Sequence, residues 1–180
     1  MTQSILPIIY LSILISILIL LVYFIAKQVI QKKQIEDQFT ILQQKIKTPN
    51  ATYSDYYDIG VIYLSKKLFD QAILNFSYAL KIWDSNDIDG ISNLYNTIGF
   101  TYFESQQYEL SIYYYKEAIT KSPKYIIALN NLAYAYEKKQ LVQDAIEIYT
   151  EVLKYDSENK IANDKLDILN RRFKIRDDRI

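Results

Sequence analysis

The chain has 180 residues, half of them hydrophobic, and its 21 basic and 21 acidic side chains balance to zero. It contains no cysteine and no histidine, which excludes disulfides, Ser-His and Cys-His nucleophile pairs and His-containing zinc sites. Its three glycines, at 60, 90 and 99, form no phosphate-cradling loop, so neither an enzyme nor a cofactor nor a metal site is expected.

Residues 5–26 carry no charged side chain and are mostly Ile and Leu. As a helix this run spans about 33 Å, enough to cross the hydrocarbon core of a bilayer. A cleaved signal peptide needs a positive start, a shorter apolar run and a small-x-small site. Met1-Thr2-Gln3-Ser4 and Val22-Tyr23-Phe24-Ile25 supply none of these, so the segment reads as a retained anchor. Lys27, Lys32 and Lys33 follow the run and no basic side chain precedes it. The positive-inside rule then puts the rest of the chain on the cytoplasmic, stromal or matrix side. Ser12 and Ser16 form a small-xxx-small pair of the kind that packs helices together, although two serines in an Ile/Leu helix need no such role.

Residues 27–52 follow as a helical linker. Ile35, Phe39, Leu42 and Ile46 form one apolar stripe, too short for a coiled coil but suited to packing on what comes next. Thr48-Pro49 stops this helix. Asn50-Ala51-Thr52 fits a glycosylation sequon by chance, because the expected orientation hides it from that machinery.

Residues 53–159 are repetitive. Ile59-Gly60-Val61-Ile62-Tyr63 returns as Ile98-Gly99-Phe100-Thr101-Tyr102 and as Leu132-Ala133-Tyr134-Ala135-Tyr136. Each block is followed at fixed distance by Ala72, Ser111 or Ala145, then by Phe76, Tyr115 or Tyr149. This period and these residues resemble the tetratricopeptide pattern. The repeats align as 53–86, 92–125 and 126–159, with five residues inserted after the first. Two helices per repeat are expected, with Gly60, Gly99 and Ala133 small because the second helix crosses there. The glycine usual at the turn between them is replaced by Lys67, Gln106 and Gln140, which is locally unfavourable. Pro123 ends the second repeat, where Asp84 and Ser157 stand in the others. The inserted Asp84–Gly90 stretch mimics a calcium loop but has Asn96 where the bidentate Glu belongs, so it reads as a polar turn ending in a helix cap.

Residues 160–180 comprise a capping helix, with Ile161, Leu166, Ile168, Leu169 and Phe173 as its apolar set, and a basic tail of Arg171, Arg172, Lys174, Arg176 and Arg179. The fold class is therefore all-α: an N-terminal transmembrane helix, a three-repeat α-solenoid and a C-terminal cap.

Charge is uneven. Residues 53–159 hold nine cations against fifteen anions, a net of −6, while 27–52 and 160–180 each carry +3. A basic excess on the repeats is lacking, which argues against nucleic acid. The expected partner is a protein, held on the concave face by first-helix residues. By register these are Tyr57, Asp58 and Val61, then Asn93, Asn96 and Phe100, then Asn130, Asn131 and Tyr134. Repeats of this class that bind chaperone C-termini hold them with Lys and Arg at such positions, and none is present. The groove reads instead as amides, aromatics and the acids Asp58, Glu104 and Glu137, with Asn96 and Asn130 partly exposed to pair with an extended backbone. Of Tyr113, Tyr114 and Tyr115, one is expected to pack inward, leaving the others for a surface patch.

Isoleucine is the commonest residue, at 29, and Tyr, Lys and Asn are frequent while Ala, Gly, Pro and Arg are scarce. That usage follows AT-rich codons, as in an organelle or endosymbiont. The start Ser4-Ile5-Leu6-Pro7-Ile8-Ile9-Tyr10-Leu11, the single anchor, the three repeats and this usage together resemble the hypothetical chloroplast open reading frame thirty-seven family of red algae and related plastids. The resemblance implies a thylakoid protein, repeats on the stromal side, that assists assembly or stability of photosystem I through its subunits or assembly intermediates. Two other readings stay open: a targeting-peptide receptor, which needs a hydrophobic groove, and a bacterial or organellar envelope scaffold.

Overall fold

The structure, a computed structural model, describes residues 5–177, with side chains described from Pro7 to Arg171. Met1–Ser4 and the tail beyond Asp177 lie outside the described residues, as do the side chains of Arg172, Phe173, Lys174 and Arg176. All regular structure among them is helical: α1 (Ile5–Lys45), α2 (Tyr53–Ser65), α3 (Phe69–Ile82), α4 (Ile88–Glu104), α5 (Tyr108–Lys121), α6 (Ile126–Lys138), α7 (Val142–Tyr155) and α8 (Lys160–Asp177). The pairs α2/α3, α4/α5 and α6/α7 stack in chain order, and each second helix also packs on the following first helix.

Helix α1 runs unbroken across residues 26 and 27, and its apolar part is exposed throughout, none of it buried by the other described residues. Ser12 and Ser16 turn their hydroxyls back onto the carbonyls of Ile9 and Ser12, both at 2.8 Å, which satisfies them within the helix. The helix ends at Lys45, with Thr48 Oγ1 donating to the Lys45 carbonyl ahead of Pro49. Thr52 then opens α2 with a capping box. Its backbone N–H donates to Asp55 Oδ2 at 2.8 Å, and its hydroxyl receives the Asp55 N–H.

The first helix of every pair stops in the same way. Lys67, Gln106 and Gln140 have φ of 57°, 63° and 62°, in the left-handed region. The next residue in each case, Leu68, Gln107 or Leu141, donates its N–H to the carbonyl of Tyr63, Tyr102 or Tyr136 at 2.9 Å. These are Schellman endings, which normally use glycine, and each non-glycine residue here carries backbone strain of about 1–2 kcal/mol.

Packing explains the small residues. A Cβ on Gly60 would sit 2.6 Å from the Phe76 ring, and one on Gly99 would sit 2.7 Å from the Tyr115 ring and 3.2 Å from the Ser111 carbonyl. Phe76, Tyr115 and Tyr149 are fully enclosed, each between its own first helix and the next one, and contribute on the order of 2–3 kcal/mol apiece. Of the tyrosine triplet, Tyr115 is buried, Tyr114 stacks on Tyr102 and Tyr113 is exposed.

Two sequence expectations need correction. The Asp84–Gly90 stretch is a turn closed by a helix cap, as read from the sequence, but the cap is Asp87 and α4 starts at Ile88, one turn earlier than alignment with α2 and α6 suggests. Asp87 makes this possible by accepting the Gly90 N–H at 2.9 Å as an N-cap while its other oxygen receives the Trp83 indole N–H. Gly90 is therefore a packing glycine, since a Cβ there would strike the Asp87 carboxylate and Trp83. Among the described side chains of α8, Ala162 and Leu169 are buried and Leu166 is half-buried; Ile161 and Ile168 face outward.

Candidate functional site: the inner face of the array

Helices α4 and α6 touch directly with no second helix between them, which identifies the inside of the bend. The contacts there are specific. Asn131 Nδ2 donates to Asn96 Oδ1 at 2.9 Å, Tyr125 Oη donates to Asn93 Oδ1 at 3.1 Å, and the Phe103 and Tyr134 rings lie 5.2 Å apart.

This geometry changes the reading of the amides. Asn96 and Asn130 are 8% and 9% exposed, not partly open, and Asn130 Oδ1 has no hydrogen-bond partner among the described residues. The side chain of Asn96 is taken up in joining α4 to α6. The expectation that Asn96 and Asn130 are partly exposed is corrected accordingly: both are buried in the helix pairing. Tyr57 is half-buried, with its ring against Phe76 and Trp83. Asn93 is exposed and Asn131 half-buried.

One repeat position on this face brings an apolar side chain to solvent in every first helix. Val61 on α2, Phe100 on α4 and Tyr134 on α6 occupy the same repeat position and are 40%, 40% and 38% exposed. Ile168 on α8 lies one further 34-residue step along and is 46% exposed, so the cap continues the series as a fourth first helix. A 34-residue count from Tyr134 finds Ile168, whereas the apolar set of α8 taken by itself does not separate it from Leu169. The four rungs form a ladder across the inner face.

The far end of the ladder is cationic. Lys138 and Lys165 lie 5.1 and 4.7 Å from the Tyr134 ring centre. Lys165 also donates to both Glu137 oxygens, at 2.9 and 3.1 Å, and Glu137 receives the Tyr149 hydroxyl at 2.6 Å. Burial, then the Glu137 carboxylate, pushes the Tyr149 phenol far above its ordinary range, so it stays a donor. Burial likewise raises Tyr115, first among its causes.

The near end is walled by α1. Gln38, Ile41 and Leu42 of α1 face Asp58, Val61 and Ile62 of α2 across a cleft of about 460 Å³. Below it α1 is docked by Phe39, whose ring meets Tyr63 edge-on at 5.2 Å, and by Lys66–Glu36 and Lys45–Asp55 ion pairs at 2.8 and 2.6 Å. Burial alone raises the Asp55 carboxyl, but hydrogen bonds from Lys45 and Thr52 outweigh it and hold the group below its usual value. Sequence reasoning placed the α1 stripe on the first repeat but did not find Gln38 and Ile41 as a groove wall, because no spacing relates α1 to the repeats.

The family model described as TPR repeat matches residues 99–140, and that described as tetratricopeptide repeat matches residues 126–159. The ycf37 protein of Guillardia theta is 46% identical over 97% of this chain and 98% of its own length. The tetratricopeptide repeat domain-containing protein PYG7, chloroplastic, of Arabidopsis thaliana is 28% identical over 92% of this chain, which spans 55% of that relative. Among solved structures, MamA matches with a TM-score of 0.70 at 17% identity, covering 82% of this chain and 83% of its own, a likeness of fold.

Proposed function

The chain belongs to the ycf37 family of tetratricopeptide-repeat proteins, and from that membership we propose that it is a membrane-anchored plastid scaffold for the assembly of photosystem I. The apolar part of α1 anchors it in the thylakoid membrane, and Lys27, Lys32 and Lys33 set the array on the stromal side. The array then holds a segment of a photosystem I subunit or assembly intermediate. Holding it in the membrane plane raises its effective concentration near a membrane-bound client.

The observation that carries the binding part is the exposed ladder Val61, Phe100, Tyr134 and Ile168 on one inner face. The complex itself rests on the family resemblance. Phe100, Tyr134, Asn93 and Asn131 are the accessible contact groups in this reading, and Tyr57, Asn96 and Asn130 shape the surface beneath them. The test is native-membrane co-purification with the tagged full chain. Photosystem I proteins should come down with the wild type and be lost with Phe100→Glu/Tyr134→Glu. Normal photosystem I accumulation after deletion of the gene overturns the assembly role, and full protection of the array from protease at the stromal face overturns the orientation.

The same apolar lining favours a second reading, a receptor for amphipathic targeting segments, which the expected amide groove did not. Capture of newly imported precursors in place of photosystem I proteins would select it.

A further inference from the structure

Four rungs of the ladder are apolar, yet the charges beside them change sign along it. Asp58 stands beside the first rung. Its repeat counterparts are Thr97, Asn131 and finally Lys165. One turn away, Glu104 stands at the second rung where Lys138 stands at the third. The groove is therefore acidic where it meets α1 and cationic where it meets α8. At the acidic end Asp58 is exposed and makes no ion pair or hydrogen bond among the described residues. At the other end Lys165 is already paired with Glu137.

The cleft at the acidic end is of a different kind from the rest of the groove, because half of it belongs to α1. Ile41 is 63% exposed and Val61 40%, so both present apolar surface to the gap they face across. Its volume falls in the range of ligand clefts, roughly 300–1,000 Å³. Apolar walls with one unpaired carboxylate and one amide, Gln38, match a large apolar side chain with a cation next to it.

We propose that the α1/α2 cleft is a recognition subsite for a basic amphipathic segment of a partner protein, seating an apolar side chain among Ile41, Leu42, Val61 and Ile62 with an adjacent Lys or Arg on Asp58. The net −6 of residues 53–159 favours the approach of such a segment, and Lys138, which makes no ion pair among the described residues, repels a basic group at the other end, which fixes its direction along the ladder. Because α1 supplies a wall, the repeats alone do not form the complete site. This inference rests on the scaffold reading above and adds the chemistry of the partner.

The test uses the full chain in nanodiscs of neutral lipid, with empty discs as the blank. The probes are a fluorescent synthetic peptide of leucine and lysine in amphipathic helical spacing and its leucine–glutamate counterpart. The leucine–lysine peptide should bind and weaken with salt, and the leucine–glutamate peptide should not bind. Ile41→Glu and Asp58→Lys, both at exposed positions, should each weaken binding roughly tenfold with unchanged helicity. Asp58→Lys should also gain the leucine–glutamate peptide. If both variants bind like wild type while Phe100→Glu abolishes binding, the cleft proposal is overturned and the ladder reading stands. If neither peptide binds, or binding ignores all three substitutions, the cleft proposal is overturned and the ladder loses its support as well.

Discussion

The two ends of the array are closed by helices of opposite make. At the C-terminal end, α8 puts Ala162 and Leu169 into the core beside Tyr149 and Val152, with Leu166 against the same cluster. At the N-terminal end, no described residue of α1 is buried; Phe39, Leu42 and Gln43, with Ile46 just past its end, are half-covered and the rest of the joint is polar. Two ion pairs, Lys45–Asp55 and Lys66–Glu36, do there what two buried aliphatic side chains do at the other end. A solenoid needs both ends covered, but an apolar cover is indifferent to salt and pH while a polar one is not. The cap α8 adds one ion pair, Lys165–Glu137, to its apolar contacts, so the joint between α1 and the first repeat, with two ion pairs and no buried side chain from α1, is the end that responds more to conditions.

The largest effect expected from this contrast is at α8. Leu169→Ala should cost about 2–4 kcal/mol and melt the third pair first, read by circular dichroism and by proteolysis near α6 and α7. A loss below about 1 kcal/mol would mean α8 is not a cover. Asp55→Ala removes both a cap and an ion pair and should cost about 1–2 kcal/mol at neutral pH. Asp55 also gives the N-terminal joint a pH signature. Its folded-state pKa is depressed, so its stabilisation is complete above the ordinary carboxylate range and is lost as pH falls through that range toward the lowered value. Asp55→Asn should flatten this dependence, and Leu169→Ala should leave it intact. An unchanged acid transition in Asp55→Asn would place the sensitivity elsewhere.

A smaller effect is expected at Phe39→Ala, about 1 kcal/mol, because the ring is only half-covered, though Tyr63 loses its edge contact and Lys66 the ring below it. The smallest is a gain. Gln140→Gly and Lys67→Gly should each raise stability by about 0.5–1 kcal/mol by relieving a left-handed φ, and a double-jump melt comparing the two ends should find the gains equal. Destabilisation by either would mean that the turn side chains make contacts that outweigh the strain.

Much of the fold was legible because repetition gives each residue three votes. Gly60, Gly99 and Ala133, or Lys67, Gln106 and Gln140, identify a packing position and a turn by recurring in register, and the structure gives each set one physical cause. The cap at the start of α4 was legible in the acidic cluster, but its exact place was not, since Asp87, Asp89 and Gly90 all suit a turn until Asp87 is seen to cap a helix that already includes the other two. The site was legible by position and not by exposure. Spacing places Asn96, Asn130, Phe100 and Tyr134 on one face, but which of them reaches water depends on length and on neighbours. Short amides sink and join helices, while Phe100 and Tyr134 stand above them. The part of the groove made by α1 had no repeat partner in the sequence and so left no periodic trace.

One property of α1 bears on orientation in space. Lys27 to Lys45 continue the apolar run without a break, a standoff of about 28 Å. A continuous helix transmits rotation as well as height. Whatever face of the apolar run packs against a neighbour also sets the compass bearing of the groove, through the docking of Phe39 and Lys45. Each residue inserted between Lys33 and Glu36 would swing the array by about 100° while lifting it only about 1.5 Å. Insertions of one to four residues should therefore change client capture cyclically, with four nearly restoring what two abolish.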